Sequence, residues 1–312
     1  MQARSGINIG NAGTLLLLAL CAALATAPVP AAEAQAMRYI YNSPESDSDI
    51  RYAYHWKILK TALEKTQAEY GPFVLEPSLR MTERRQTEEL ENDTGRLSVM
   101  YLSTTLELER TLIPVRIPVD RNLGGYCILL IRKGESGRFG AVRSLEDLRP
   151  FSFGLGLGWI DVGILKANGF RVVTGSSYEG LFEMLANHRF DVFPRGAVEI
   201  LDEFEGRRNS FPELEIEPSL IFYYPLPMYF WFPKTPTGQR LAARAETGMR
   251  KMIADGSYDR IFSEYQDDKI RRLDLKHRRV LALRNPNLGP ETPFADTRLW
   301  FDPQTYRPHP RR

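Results

Sequence analysis

Alternation of short apolar strands with amphipathic helices is the feature that most constrains this chain. "MRYIYN" (37–42) reads as an opening strand, followed by the polar loop "SPESDSDI". "RYAYHWKILKTALEKTQAEYG" then sets Tyr52, Trp56, Leu59 and Leu63 on one helical face, and Gly71-Pro72 ends it. "FVLEP" is a second strand, "TERRQTEELEND" an exposed helix and "LSVMYL" a third strand. Adjacent parallel strands need a long crossover, usually a helix. The order therefore predicts βαβ units on a largely parallel sheet.

The pattern then recurs. "GGYCILLIRKG" (124–134) is a strongly apolar strand. In "SLEDL", Ser144 can cap a short turn and Asp147 can reach back. "FSFGLGLGWIDVGILKANGF" (151–170) reads as strand, glycine-rich turn and helix, and "FRVVTG" as a strand. "SSYEGLFEMLANH" is a helix with Ser176 and Glu179 at capping-box spacing, and "RFDVFP" a buried strand. A second βαβ unit thus runs from about 151 to 194. "SLIFYYPLPMYFWFPK" (219–234), apolar and broken by prolines, suits strands that cross between two lobes. A helix stopped by Gly256 and a last helix, "SYDRIFSEY", follow. From 267 onward the chain is basic and proline-rich, and reads as an irregular extension lying against the body with a frayed end.

The first residues carry an address. Arg4 precedes the apolar run "TLLLLALCAALATA" (14–27), which is too short and alanine-rich for a good membrane span. "PVPAAEAQAM" follows, with small-x-small sites ending at Ala34 or Ala36, the layout of a cleavable secretory signal peptide. An uncleaved anchor is the alternative. Leu20 before Cys21 argues against lipid attachment, which needs a small residue there. Removal of residues 1–36 leaves Cys127 as the one cysteine, without an internal disulfide partner. It sits in "YCILLI" and reads as a buried thiol.

Composition bounds the function. With 312 residues and 43% hydrophobic content the chain can bury two lobes. A net charge of +2, with no basic run over the first two hundred residues, argues against nucleic-acid binding. His55, His188, His277 and His309 are scattered without metal-ligand spacing, and no Ser/His/Asp set stands out, so neither a metal nor a cofactor is expected. The glycine-rich turn poses the sharper question. Trp159 stands where a third glycine would follow Gly154 and Gly156 at dinucleotide spacing, and there is no lysine-serine or lysine-threonine pair. A nucleotide is excluded, and a smaller anion is what such a turn at a helix start suits.

"SLEDLRPFSFGLGLG", "VVTGSSYEGLFEMLANHRFDVF" and "MRKMIADGSYDRIFSEY", in this order and spacing, resemble the bacterial extracellular solute-binding proteins of family 3, the amino-acid-type periplasmic binding proteins. The likeness covers most of residues 37 to 266. It implies a type 2 periplasmic binding fold: two α/β lobes, each a mostly parallel sheet flanked by helices, with the ligand cleft between them. The expected division is signal peptide 1–36, first lobe 37–125 and 225–266, second lobe 126–224, and a C-terminal extension 267–312 packed on the first lobe. The implied role is a monomeric periplasmic protein that captures a small anionic or amino-acid-like solute for an ABC-type permease or a membrane sensor.

The resemblance also nominates residues. An arginine five residues after a threonine holds the ligand carboxylate, and "TTLELER" offers Thr104, Thr105 and Arg110; a planar guanidinium fork suits a carboxylate. The alternative for Arg110 is a surface pair with Glu107 or Glu109. The glycine loop faces the cleft, which brings in Gly158 and Trp159. The indole is either a ligand wall or a core residue. Asp161 is either a helix cap or a ligand contact. Where the family often has an acid for the ligand ammonium, this chain has Arg195, which either favours a second negative group on the ligand or is a surface residue at a helix start. Glu45 and Arg51, in the loop after the first strand, also border the cleft. Two other functions stay open: a cyclohexadienyl-dehydratase-like enzyme using Glu45 as proton donor, and an orphan accessory protein whose tail binds a partner.

Overall fold

The computed structural model describes residues 1–3, 6, 36–43 and 53–308. The leader segment, Glu45 and Arg51 lie outside the described residues. Residues 36 to 312 form one unit.

One group of elements comprises β1 (Met37–Tyr41), α1 (Ala53–Lys65), α2 (Gln67–Tyr70), β2 (Phe73–Pro77), α3 (Glu83–Glu91), β3 (Met100–Ser103), α4 (Leu106–Thr111) and β4 (Leu112–Val115). The second comprises β5 (Tyr126–Arg132), α5 (Ser136–Gly140), β6 (Ser152–Gly156), α6 (Ile160–Ala167), β7 (Arg171–Gly175), α7 (Tyr178–Ala186), β8 (Phe193–Gly196), α8 (Ile200–Arg207), β9 (Leu214–Ile216) and β10 (Leu220–Tyr223). The chain then returns through β11 (Met228–Pro233), α9 (Pro236–Ala254) and α10 (Ser257–Leu273), and ends with β12 (Arg279–Ala282) before its last irregular stretch.

Parallel pairing holds where the βαβ pattern predicts it, in β1–β2 and β6–β7, and parallel bridges carry it on to β3 and β8. Strands next to the crossings break the rule. β11 pairs antiparallel with β3 and β4, while β5 pairs antiparallel with β8, β9 and β10. These strands enter their sheets directly from a crossing segment and reverse direction without a helix.

Helix α9 lies on α1, and the approach is closest at Gly248. A Cβ there would lie 2.1 Å from the Ala62 carbonyl oxygen. Gly248→Ala gains helix propensity, about 1 kcal/mol, yet must push two helix backbones apart. A net loss of about 1–2 kcal/mol is expected, read as a lower urea midpoint at unchanged slope.

The extension departs from the expected irregular tail on the first lobe. Arg279–Ala282 form β12, which pairs in parallel with β10 in the sheet built around β5. Leu281 and Leu283 are buried among Phe222, Phe153 and Leu165. Four successive apolar-rich residues, Val280 to Leu283, suffice for an edge strand in a stretch whose overall composition reads as loop.

Candidate functional site

Ligands of open α/β sheets bind beyond the carboxyl ends of the strands. In the second group those ends carry the turn after β6 and the segment after β8; in the first group they carry the segment after β3.

The turn after β6 keeps its glycines for identifiable reasons. Gly158 has φ +88°, a left-handed conformation that side chains resist. A Cβ on Gly156 would lie 2.3 Å from Trp159 Cε2, so the indole rests directly on the glycine. Trp159 is the N-cap of α6 and gives no side-chain capping bond. Helices α3, α4, α7 and α9, by contrast, start on Thr82, Thr105, Ser177 and Thr235, each accepting a backbone N–H. Among the described residues no side chain accepts from the first amides of α6, which lie at the positive end of its dipole.

Trp159 is half-buried, as its core reading expects. It packs on the β6 core, and its ring lies 6.3 Å from that of Phe193 at 20°. The Arg195 guanidinium sits 4.8 Å from its centroid. Asp161 is not the cap but the second residue of α6, and its carboxylate accepts a hydrogen bond from the Tyr224 hydroxyl. The Cys127 thiol lies 3.1 Å from that same hydroxyl, and burial pushes the thiol pKa far up, so it is inert at neutral pH.

Arg195 is neither a surface residue nor a free cation. It is 6% exposed and gives Glu203 two hydrogen bonds, of 2.7 and 2.6 Å; Glu199 stands 3.0 Å away. Burial disfavours its charge, but Glu199 and Glu203 outweigh that and hold it firmly protonated. Tyr178 donates its hydroxyl to Glu203, and Glu199 also accepts from Gly196 N at 3.1 Å. One guanidinium is thus shared by two carboxylates. Glu199, Glu203, Tyr178 and Tyr224 were not singled out in the sequence. Glu199 and Glu203 are four residues apart at the start of α8, the spacing that stacks side chains on one helix face, while Arg195 reaches them from the end of β8.

Beyond β3, the Thr104 hydroxyl donates to Glu109 at 2.8 Å, and Arg116 donates to the same carboxylate at 3.0 Å. Thr105 caps α4, accepting from Leu108 N at 3.0 Å. Arg110 is exposed, and its side chain has no partner among the described residues, so the pair with Glu107 or Glu109 does not form there. Among the described residues no three His, Cys, Asp or Glu side chains are placed to hold a metal. No described helix is long and apolar enough to cross a membrane.

No protein-family model and no curated protein matches the sequence. Solved structures do match its shape. An ancestral arginine-binding protein bound to arginine superposes with a TM-score of 0.51 at 16% identity, over 74% of this chain and 97% of that one. A structure from the glutathione import system of Streptococcus mutans gives 0.55 at 11% identity, over 74% and 95%. A histidine kinase sensor domain similar to periplasmic binding proteins gives 0.50 at 15%, over 75% and 96%. At such identities the likeness shows the fold: two α/β lobes of the periplasmic-binding type, with a cleft between them.

Proposed function

We infer that the protein is an exported solute-binding protein whose cleft takes a small, carboxylate-bearing solute, for delivery to an ABC-type importer or a membrane sensor. The observation that carries this reading is the uncapped start of α6 at the carboxyl end of β6, under a half-exposed tryptophan. Amides without a side-chain cap and a helix dipole suit an anionic ligand end, and the indole offers a flat wall for its body. Arg110, exposed at the end of α4, is the proposed second carboxylate partner. Arg195 positions Trp159 and is not a ligand contact, since its charge is spent on Glu199 and Glu203. The solved binding proteins of this fold, one of them holding arginine, support capture over catalysis.

A thermal-shift panel of amino acids, dicarboxylates, aromatic acids and small phosphates tests the reading. A ligand at a hundred times its Kd stabilises by about 2.7 kcal/mol. The expected result is a clear rise in Tm with one carboxylate class, weakened in Trp159→Ala and in Arg110→Ala. A shift that survives both substitutions places the ligand elsewhere. No shift with any carboxylate, under conditions where the protein melts cooperatively, overturns the carboxylate reading.

A further inference from the structure

Proteins of this architecture close by hinge motion about the segments that cross between lobes, and a hinge works because few residues must change φ and ψ. In this chain the two crossings, 116–125 and 224–227, are not free. They are bonded to each other: Tyr224 N donates to Gly125 O at 3.1 Å, Leu226 N to the Asn122 side-chain oxygen at 2.6 Å, and Val119 N to Met228 O at 2.9 Å.

The C-terminal extension then binds both crossings and both lobes. Its first part is anchored on the second lobe. Arg278, buried, donates to Leu273 O at 2.5 Å and to the carbonyl of Glu217. β12 pairs along β10, and Leu283 N donates to Tyr223 O at 2.7 Å. Asn168, at the end of α6, exchanges two hydrogen bonds with Arg284. The chain next passes over one crossing, where Asn285 donates to Pro225 O at 2.8 Å. It reaches the first lobe at Gly289, which lies against Glu109, and at Glu291, paired with Arg116 at 2.5 Å. It finishes on the other crossing. Phe301 N donates to Arg121 O at 2.7 Å, Arg121 donates back to Arg298 O at 3.0 Å, and the Tyr126 hydroxyl donates to Phe301 O at 2.9 Å. Leu299 and Phe301 are buried with Tyr126 and with Phe262 of α10. On the opposite flank, Lys269 of α10 bonds Asp202 at 2.6 Å and Val198 O, and Arg272 pairs with Glu205 of α8.

We propose that residues 274–306 are an interlobe strap that fixes the angle of the cleft, so that this protein takes its ligand into a site of preset width rather than by closing two mobile lobes. A rotation about the crossings would have to break the Asn285, Arg121 and Phe301 bonds together, or drag β12 from its sheet. A fixed cleft meets its ligand preorganised, without the ordering cost of closure. The proposal does not depend on which solute binds.

Spin labels read it directly. Lys60 of α1 and Lys166 of α6 are exposed, one in each lobe, and Cys127 is buried. Lys60→Cys and Lys166→Cys, on a Cys21→Ser background, give one interlobe distance by pulsed electron resonance. A protease site is inserted between Asn287 and Leu288, the short stretch between the two anchored parts, and is cut after folding. A parallel variant carries an uncut flexible spacer there. The expected result is one narrow distance distribution in the uninserted protein, and a distribution at least twice as wide in the cut and spacer forms. A broad or two-peaked distribution in the uninserted protein overturns the proposal. So does a distribution that stays narrow and unmoved in both altered forms, because the angle is then held without the strap.

Discussion

Arg195→Ala is expected to cost about 3–5 kcal/mol, the loss that follows when one partner of a buried ion pair is removed. The side chain of Glu203 is 7% exposed and that of Glu199 is 22% exposed. Removing the guanidinium takes away the cation that gives the Glu203 carboxylate two hydrogen bonds, and leaves it the neutral Tyr178 hydroxyl and the field of Arg207. The indole of Trp159 also loses the charge over its face, worth about 1 kcal/mol. The pH dependence separates this cause from a simple packing loss. An unpaired buried carboxylate has a raised pKa, so the variant takes up a proton on acidification and recovers part of its stability as pH falls toward 4. A cavity would cost the same at every pH. The double variant Arg195→Met, Glu203→Leu removes both charges and is expected to lie within about 1–2 kcal/mol of the parent. Urea titrations of the three proteins at pH 7 and pH 4.5 decide the matter. A single-variant loss below 1 kcal/mol would mean that Glu203 is not desolvated.

The contrast between Arg195 and the strands shows what the sequence could say. The β1–α1–β2 and β6–α6–β7–α7–β8 runs were legible because local periodicity creates them: Leu59 and Leu63 share a helix face whatever lies beyond. The glycine turn was legible as a turn, since Gly158 needs a left-handed backbone that other residues resist. Partnerships across the chain were less so. Ser176 and Glu179 have capping-box spacing, yet Ser177 caps α7 and Glu179 pairs with Arg207, 28 residues away. Asp161 looked like a cap, and Tyr224 claims it from 63 residues away. Arg195 looked like spare positive charge until Glu199 and Glu203 folded back on it. The extension failed for another reason: an edge strand of four residues is too short to stand out against prolines and arginines. In each case the missing information was which distant group would neutralise or pair a residue whose local chemistry had been read correctly.

The second large effect is a pH dependence seated in a crossing segment. Asp120 is 1% exposed, and burial raises its pKa from 3.8 to about 6, against the pull of two backbone hydrogen bonds from Asn122 N at 3.0 Å and Gly124 N at 2.9 Å. The folded state therefore holds this proton more tightly than the unfolded chain does. The resulting stabilisation is fully present below the unfolded value and disappears as pH rises through about 6. A shift of this size corresponds to about 3 kcal/mol. Asp120→Asn lacks the titration, so the difference in stability between variant and parent should move by about 2.4 kcal/mol in favour of the variant between pH 4 and pH 7. The absolute offset is a separate matter, because an amide offers one acceptor where the carboxylate serves two backbone donors. Only the slope reports the buried charge. Unfolding free energies of both proteins at half-unit pH steps give it. A flat difference across that window would show that Asp120 ionises in the folded state as it does in the open chain. A slope of the expected sign would mean that, at neutral pH, one segment joining the lobes holds a charge inside apolar surroundings. That charge is kept there by backbone N–H groups which any rotation of the lobes must preserve.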